Sequence, residues 1–279
     1  MTVYVNDSGT WRAMDEIHVN NSGTWEEIDN GISVNDSGTW RTVHGVPGSW
    51  VRDSAGSYTF TVPDGVHVMY LSAAGAGGGA GGAYYSTPGW GGAGGGYVDQ
   101  VEIHTTPGNT ISVNIGSGGG GVEFGDYGFY FSAASSGGNT TLSGSGLVQE
   151  GNVTSSTITL EGGDGGAAAQ SSTKNDAYTD GEGGSTAGIS GGTDGTDSNR
   201  NSDWGWGGAS LGGTCASGYG TGPYEDGCSG VDGDDSRGCP YAAGKGTGGG
   251  GTDDISGCGS GRGGDGSDGY VKFEWGSKI

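Results

Sequence analysis

The residues that could do chemistry are few and widely spaced. The thiols are Cys215, Cys228, Cys239 and Cys258. None forms a CxxC pair, and their spacing matches no zinc-ligand run. Four cysteines in one glycine-rich stretch read instead as two disulfides, with three pairings open, or as free thiols. Disulfides there would staple a stretch with too few apolar residues to hold itself. The histidines, His18, His44, His67 and His104, are scattered, and none neighbours a Cys or Ser in a nucleophilic setting. The chain has 32 acidic residues, yet nothing singles out a pair for glycoside hydrolysis. Gly244-Lys245 is followed by Gly246 rather than Ser or Thr, and Cys239 stands where a phosphate loop needs glycine. A non-enzymatic chain is therefore expected.

Calcium is the one ion the acids could suit. Gly263-Gly264-Asp265-Gly266-Ser267-Asp268-Gly269-Tyr270 matches a single calcium β-roll nonapeptide. A roll shares each ion between tandem copies, and only one copy is present. Asp232, Asp234 and Asp235 form another acidic cluster, but the spacing of an EF-hand is absent. The expectation is no metal and no cofactor, with calcium as the alternative.

Aromatic rings in small-residue stretches are the better binding candidates. Tyr84, Tyr85 and Trp90 sit among the first glycine runs. Trp204, Trp206, Tyr219, Tyr224 and Tyr241 sit in the last. Such rings offer rigid contact area at low entropic cost. Asp203, Asp226, Asn199 and Asn201 nearby could hydrogen-bond sugar hydroxyls. The alternative role for the rings is to pin glycine loops to the body.

The elements that would position these residues must be built from an unusual composition. Of 279 residues, 70 are glycine, and only 30% are hydrophobic. Glycine loses more backbone freedom on folding than any other residue, so a chain this rich in it needs a geometry that requires bare backbone. Collagen is excluded, because no G-X-Y period runs and only 6 prolines occur. The 8 Trp, 13 Tyr and 5 Phe argue against wholesale disorder. Low apolar content predicts two or three small cores rather than one. The formal net charge of −22 would repel nucleic acid and anionic membranes, so neither is an expected partner. It serves solubility, or hydration in a high-salt setting. No apolar stretch long enough to span a membrane exists, and no secretory leader is visible at Met1-Thr2-Val3-Tyr4-Val5.

Two parts are predicted, residues 1–52 and 53–279. The first holds a repeat. Val5-Asn6-Asp7-Ser8-Gly9-Thr10-Trp11 returns as Val19-Asn20-Asn21-Ser22-Gly23-Thr24-Trp25. It returns again as Val34-Asn35-Asp36-Ser37-Gly38-Thr39-Trp40, with a degenerate copy at Val46–Val51. Each copy reads as a β-hairpin about an Asx-Ser-Gly turn. Trp11, Trp25 and Trp40 would form the repeat core, within one chain or among three. Asn6, Asn20, Asn35, Asn139 and Asn152 also begin sequons, although turn chemistry accounts for the first three. In the second part, alternation predicts strands at 56–62, 66–71, 96–103, 109–115 and 268–275, with weaker ones near Leu142, Leu147 and 157–160. Between them run glycine stretches that can lie as extended threefold chains and exchange backbone hydrogen bonds. The fold class is all-β: hairpin repeats, then a glycine-rich β-sandwich with polyglycine-II packing inside it.

One set of segments resembles a known family. Tyr58-Thr59-Phe60-Thr61-Val62-Pro63-Asp64-Gly65-Val66 is followed by a glycine run and by Gly95-Gly96-Tyr97-Val98. Then come Thr106-Pro107-Gly108-Asn109-Thr110-Ile111-Ser112-Val113-Asn114-Ile115-Gly116 and, at the end, Gly266-Ser267-Asp268-Gly269-Tyr270-Val271-Lys272-Phe273. This order resembles the glycine-rich domains of tail-fibre and receptor-binding proteins of tailed phages, and the Trp repeats resemble those at the front of phage virion proteins. The resemblance implies a virion structural protein outside the cell, a tail fibre or adhesin that attaches the particle to its host. Its partners would be other tail and fibre proteins and a host surface glycan or protein; no motif of the family marks the receptor-contacting residues, so the aromatic rings above are receptor-binding candidates on their own chemistry. A homo-oligomer, such as a trimer, is expected. The alternative is a capsid decoration, turret or tail scaffold with no receptor.

Overall fold

The computed structural model describes residues 47–81, 90–122, 134–166, 182–194, 210–211, 246 and 263–276, and the backbone alone of short strands elsewhere. Among the described residues the regular structure is all β.

The repeats form three separate antiparallel hairpins: β1 (Val3–Asp7) with β2 (Thr10–Met14), β3 (His18–Asn21) with β4 (Thr24–Glu27), and β5 (Ile32–Asp36) with β6 (Thr39–His44). Their registers agree. Asn6 faces Trp11, Asn20 faces Trp25 and Asn35 faces Trp40. The expected clustering of the three indoles concerns side chains outside the described set.

The next strands are β7 (Gly48–Arg52), β8 (Gly56–Thr61), β9 (Val68–Ala74), β10 (Ala83–Tyr84), β11 (Tyr97–Thr105) and β12 (Thr110–Ile115). They are followed by β13 (Thr140–Ser143), β14 (Leu147–Gly151), β15 (Thr157–Leu160), β16 (Thr186–Ala187), β17 (Asn199–Arg200), β18 (Gly205–Trp206), β19 (Ser260–Gly261) and β20 (Tyr270–Trp275). Two five-stranded antiparallel sheets, ordered β14-β11-β9-β20-β7 and β16-β15-β13-β12-β8, make the predicted sandwich. β7 belongs to it through its ladder with β20, from Val271 opposite Arg52 to Trp275 opposite Gly48. The sequence groups Gly48–Arg52 with the repeats instead, because Ser49-Trp50 mimics their Thr-Trp.

Alternation explains the core. In β12, Ile111, Val113 and Ile115 point inward while Thr110, Ser112 and Asn114 point to solvent. Phe60, Met69, Leu71, Ile103, Leu142, Ile158, Leu160, Val271 and Phe273 come inward from the other strands and join them in one cluster. Fully burying a side chain of this size contributes about 1.5–3 kcal/mol. The expectation of two or three small cores is thus corrected among the described residues. Sheet alternation delivers the scarce apolar side chains to one interface, and the glycine segments pack by main chain without needing a core of their own. Trp50 stacks on Phe273 with centroids 5.6 Å apart, and the Arg52 guanidinium lies 4.6 Å above Trp50.

The outer face of the first sheet is ionic. Lys272 Nζ lies 2.8 Å from Glu274 Oε1, and Gln100 Nε2 donates to Glu274 Oε2 at 2.6 Å. The Lys272 ammonium first, and then the Gln100 amide, holds the Glu274 carboxyl below its ordinary pKa of 4.5. Gln100 has φ +51° where the β9–β11 register shifts, the one non-glycine residue with positive φ among those described. Its N–H donates to the buried Ser72 Oγ at 3.0 Å.

At one end of the sandwich the strands run straight on into glycine. β9 continues as 75–81, β12 as 116–122 and β15 as 161–166. Segments 90–96, 134–139, 182–185 and 263–269 lead back into β11, β13, β16 and β20. Segment 75–81 is buried throughout, and its amides donate to three neighbours in rotation. Gly75, Gly78 and Gly81 donate to Gly96, Ala93 and Trp90; Ala76 and Gly79 to Gly138 and Ser135; Gly77 and Ala80 to Ser267 and Gly264. Its carbonyls accept in turn from Gly119 and Val122, and from Gly163 and Gly166. Buried peptide groups must be paired, and here the pairing runs between segments rather than along a ladder. Closeness of main chains excludes side chains. A Cβ built on Gly78 would lie 2.0 Å from the Asp164 carbonyl oxygen.

Candidate functional site

Where the bundle meets solvent, side chains replace main-chain acceptors. Asp268 Oδ1 accepts the Gly118 amide at 2.8 Å, and Asp265 Oδ1 accepts that of Gly121 at 2.7 Å. Asn139 Oδ1 accepts from Gly162 at 3.0 Å, and Ser136 Oγ from Gly165 at 3.4 Å. Donors and acceptors alike recur every third residue. In the roll-like Gly263–Tyr270 run, both aspartates receive peptide N–H groups of the neighbouring segment. Asp268 Oδ2 also accepts from the Ala55 amide at 2.9 Å, so this carboxylate ties the bundle to the start of β8. Asp268→Ala should lower stability by about 2–4 kcal/mol, because it removes two charge-assisted bonds of about 1.5–3 kcal/mol each, the one to Ala55 weakened by its exposure. Asp268→Asn keeps one acceptor and should recover roughly half of that loss in thermal melts.

The sequon asparagines in this part are also engaged. Asn139 is spent on Gly162, and Asn152 Nδ2 donates to the Glu102 carbonyl at 3.0 Å.

The topology brings several connections to the end of the bundle farthest from the sandwich. Segment 75–81 runs outward and 90–96 returns beside it, with the Gly81 amide donating to the Trp90 carbonyl at 2.8 Å at the outer end. Segment 116–122 runs outward and 134–139 returns. Segment 161–166 runs outward and 182–185 returns. The outer residues are neighbours: Val122 donates to Ala80, Gly263 to Val122, and Ala134 to Gly166. The stretches joining these segments therefore leave and re-enter the bundle at one shared end. β10 and β19 meet there, with Tyr84 opposite Ser260.

Of the ring residues singled out by sequence, Trp90 is half-buried at this end. Tyr84 has its backbone in β10 beside it. Trp206 has its backbone in β18, opposite Asn199. Tyr85, Trp204, Tyr219, Tyr224 and Tyr241 lie outside the described residues, as do Cys215, Cys228, Cys239, Cys258, Asp232, Asp234 and Asp235. Ser210 and Gly246 are described, and both touch the sandwich end of the bundle. Ser210 Oγ donates to the Gly95 carbonyl at 2.7 Å, and Gly246 accepts from the Gly95 amide at 2.9 Å. The stretch 195–262 thus reaches both ends, and its rings cannot all be assigned to the outer one.

A richer set of rings stands elsewhere in the chain. Between Val122 and Ala134, the outer ends of two adjacent segments, stand Phe124, Tyr127, Phe129, Tyr130 and Phe131. The available signal was the density of rings between two glycine runs. It was missed because attention to isolated rings in small-residue loops favours the longer final stretch.

No curated protein matches the chain significantly. Residues 53–276, the glycine bundle and the sandwich apart from its edge strand β7, match the family described as a glycine-rich domain. With strands feeding a main-chain bundle built largely of glycine, the chain belongs to that glycine-rich domain family.

Proposed function

We propose that this chain is a virion structural protein, a tail-fibre component or adhesin that attaches a particle to its host. The observation that carries the reading is the convergence of the joining stretches on one end of a main-chain bundle. A rigid scaffold that presents ring-rich connections is the common architecture of binding surfaces. In this reading the glycine segments pack as threefold extended helices and act as a stiff pedestal. The sandwich is its base, and the N-terminal hairpins attach to other tail or fibre proteins. Repeated copies on one particle raise avidity without a single tight site. The role is binding rather than catalysis, at the virion surface and outside the cell.

The test is binding of the labelled full-length chain to a panel of intact bacterial and archaeal cells. Two variants accompany it, Phe129/Tyr130/Phe131→Ala and Trp204/Trp206→Ala. Saturable binding to some cells is expected, weakened about tenfold or more by the first variant, since clustered aromatic anchors carry most of an interface's energy. Folded protein that binds none of them overturns the attachment reading and favours a decoration or scaffold role, whereas binding that survives both variants overturns the placement of the contact surface.

A further inference from the structure

The strands of the second sheet carry an outer face unlike that of the first. Its outward side chains are Ser57, Thr59 and Thr61 on β8, then Thr110, Ser112 and Asn114 on β12. Thr141 and Ser143 follow on β13, Thr157 and Thr159 on β15, and Ala187 on β16. None is ionisable, in a chain of formal net charge −22. The first sheet's outer face, by contrast, carries Lys272, Glu274, Glu102 and His104.

The ladders align these groups in rows. Thr59, Ser112, Ser143 and Thr157 stand side by side across four strands. Ser57, Asn114, Thr141, Thr159 and Ala187 form the next row across five. A shallow groove of about 210 Å³ runs along them between β8, β12 and β13.

We propose that this face is where a second copy of the chain docks, about a twofold axis. The first reason is charge. Two strongly acidic molecules repel wherever carboxylates meet, and this sheet face lets them approach without like charges opposed. The second is self-complementarity. A twofold interface sets this patch against a copy of itself, residue i meeting residue j and j meeting i. A hydroxyl both donates and accepts, so any hydroxyl of one copy can pair with any hydroxyl of the other. The third is cost. Short Ser and Thr side chains lose little rotamer freedom on burial, unlike Lys or Glu. Twisted sheets then stack face to face with strands about 30° apart, as they do inside a sandwich. The face spans roughly 20 Å across its strands at ladder spacing, which suits a weak interface rather than an obligate one. This inference does not depend on the cell-attachment reading.

Sedimentation equilibrium of the full-length chain, loaded up to about 1 mM to reach a weak dimer, provides the test. Wild type should show a concentration-dependent dimer. Ser112→Glu and Thr141→Glu should each weaken it about tenfold or more through like-charge opposition across the axis, with the thermal midpoint unchanged. An equimolar mixture of Ser112→Glu with Ser112→Lys should regain association. A wild-type chain that stays monomeric overturns the proposal. So does association that both glutamate variants retain, because the contact would then lie elsewhere, for example among the hairpin repeats.

Discussion

Replacing Gly78 with alanine should destabilise the glycine-rich domain by at least about 3 kcal/mol, at or beyond the upper end of ordinary overpacking. The added Cβ would lie 2.0 Å from the Asp164 carbonyl oxygen and 2.4 Å from its carbon. Both are main-chain atoms of a segment that is itself hydrogen-bonded on several sides, so no rotamer change relieves the clash. The segment must move, and the Gly78–Ala93 hydrogen bond of 2.9 Å must stretch with it. At about 2–4 °C per kcal/mol for a domain of this size, the melting midpoint should fall by roughly 10 °C, or the protein should fail to accumulate in soluble form. Gly120→Ala is the control. No atom lies within 4 Å of its added Cβ, and its backbone is not left-handed. It should change stability by no more than about 0.5 kcal/mol, or raise it slightly by restricting the unfolded chain. Calorimetry of the two variants beside wild type decides the matter. If they melted alike, the main-chain packing described for segment 75–81 would be wrong.

Phe273→Ala should be equally severe for a different reason. Phe273 is fully buried on β20, between β9 and β7. Its ring centroid lies 4.8 Å from that of Phe60 across the sandwich and 5.6 Å from that of Trp50 on the neighbouring strand. Truncation removes one of the aromatic contacts that join the two sheets and leaves a cavity, at a cost of about 3–5 kcal/mol. That is a large share of the roughly 5–15 kcal/mol by which a domain is stable. Phe273→Leu should cost much less, because it refills most of the volume. Val51→Ala, on the exposed face of β7, should fall within about 0.5 kcal/mol of wild type. Denaturant midpoints of the three variants check the order. A Phe273→Ala protein as stable as Val51→Ala would mean that the aromatic cluster does not hold the sheets together.

These two variants probe two different kinds of interior, and the sequence revealed them unequally. Side-chain alternation is local, so Thr110–Ile115 and Tyr270–Trp275 could be recognised as strands from their own residues. The hairpins were equally legible, because the Asn-Asp-Ser-Gly-Thr-Trp pattern carries both turn and strand. The abundance of glycine also implied that main chains must approach one another. Which segments approach was not legible. A glycine run has no side chain to specify a neighbour, and Gly78 and Gly120 look alike in sequence although one is enclosed and the other open.

The same limit explains the departures. Gly48–Arg52 looks like a worn repeat, yet it forms the edge of the sandwich because β20, more than 200 residues later, offers it a ladder. In the Gly263–Tyr270 run, Asp265 and Asp268 receive amides from Gly121 and Gly118, whose proximity no local pattern encodes. The density of rings in the stretch 123–133 is visible in sequence, but that its flanking segments end together at the outer end of the bundle is not.

The sequence by itself determined the β class, the inward and outward residues of each long strand, and the requirement for bare backbone, because each follows from periodicity and composition within a few residues. The tertiary structure decided which strands share a sheet, which glycines are irreplaceable, and which connections meet at one end. Those depend on pairings between residues far apart in the chain, made largely through peptide groups that are the same at every position.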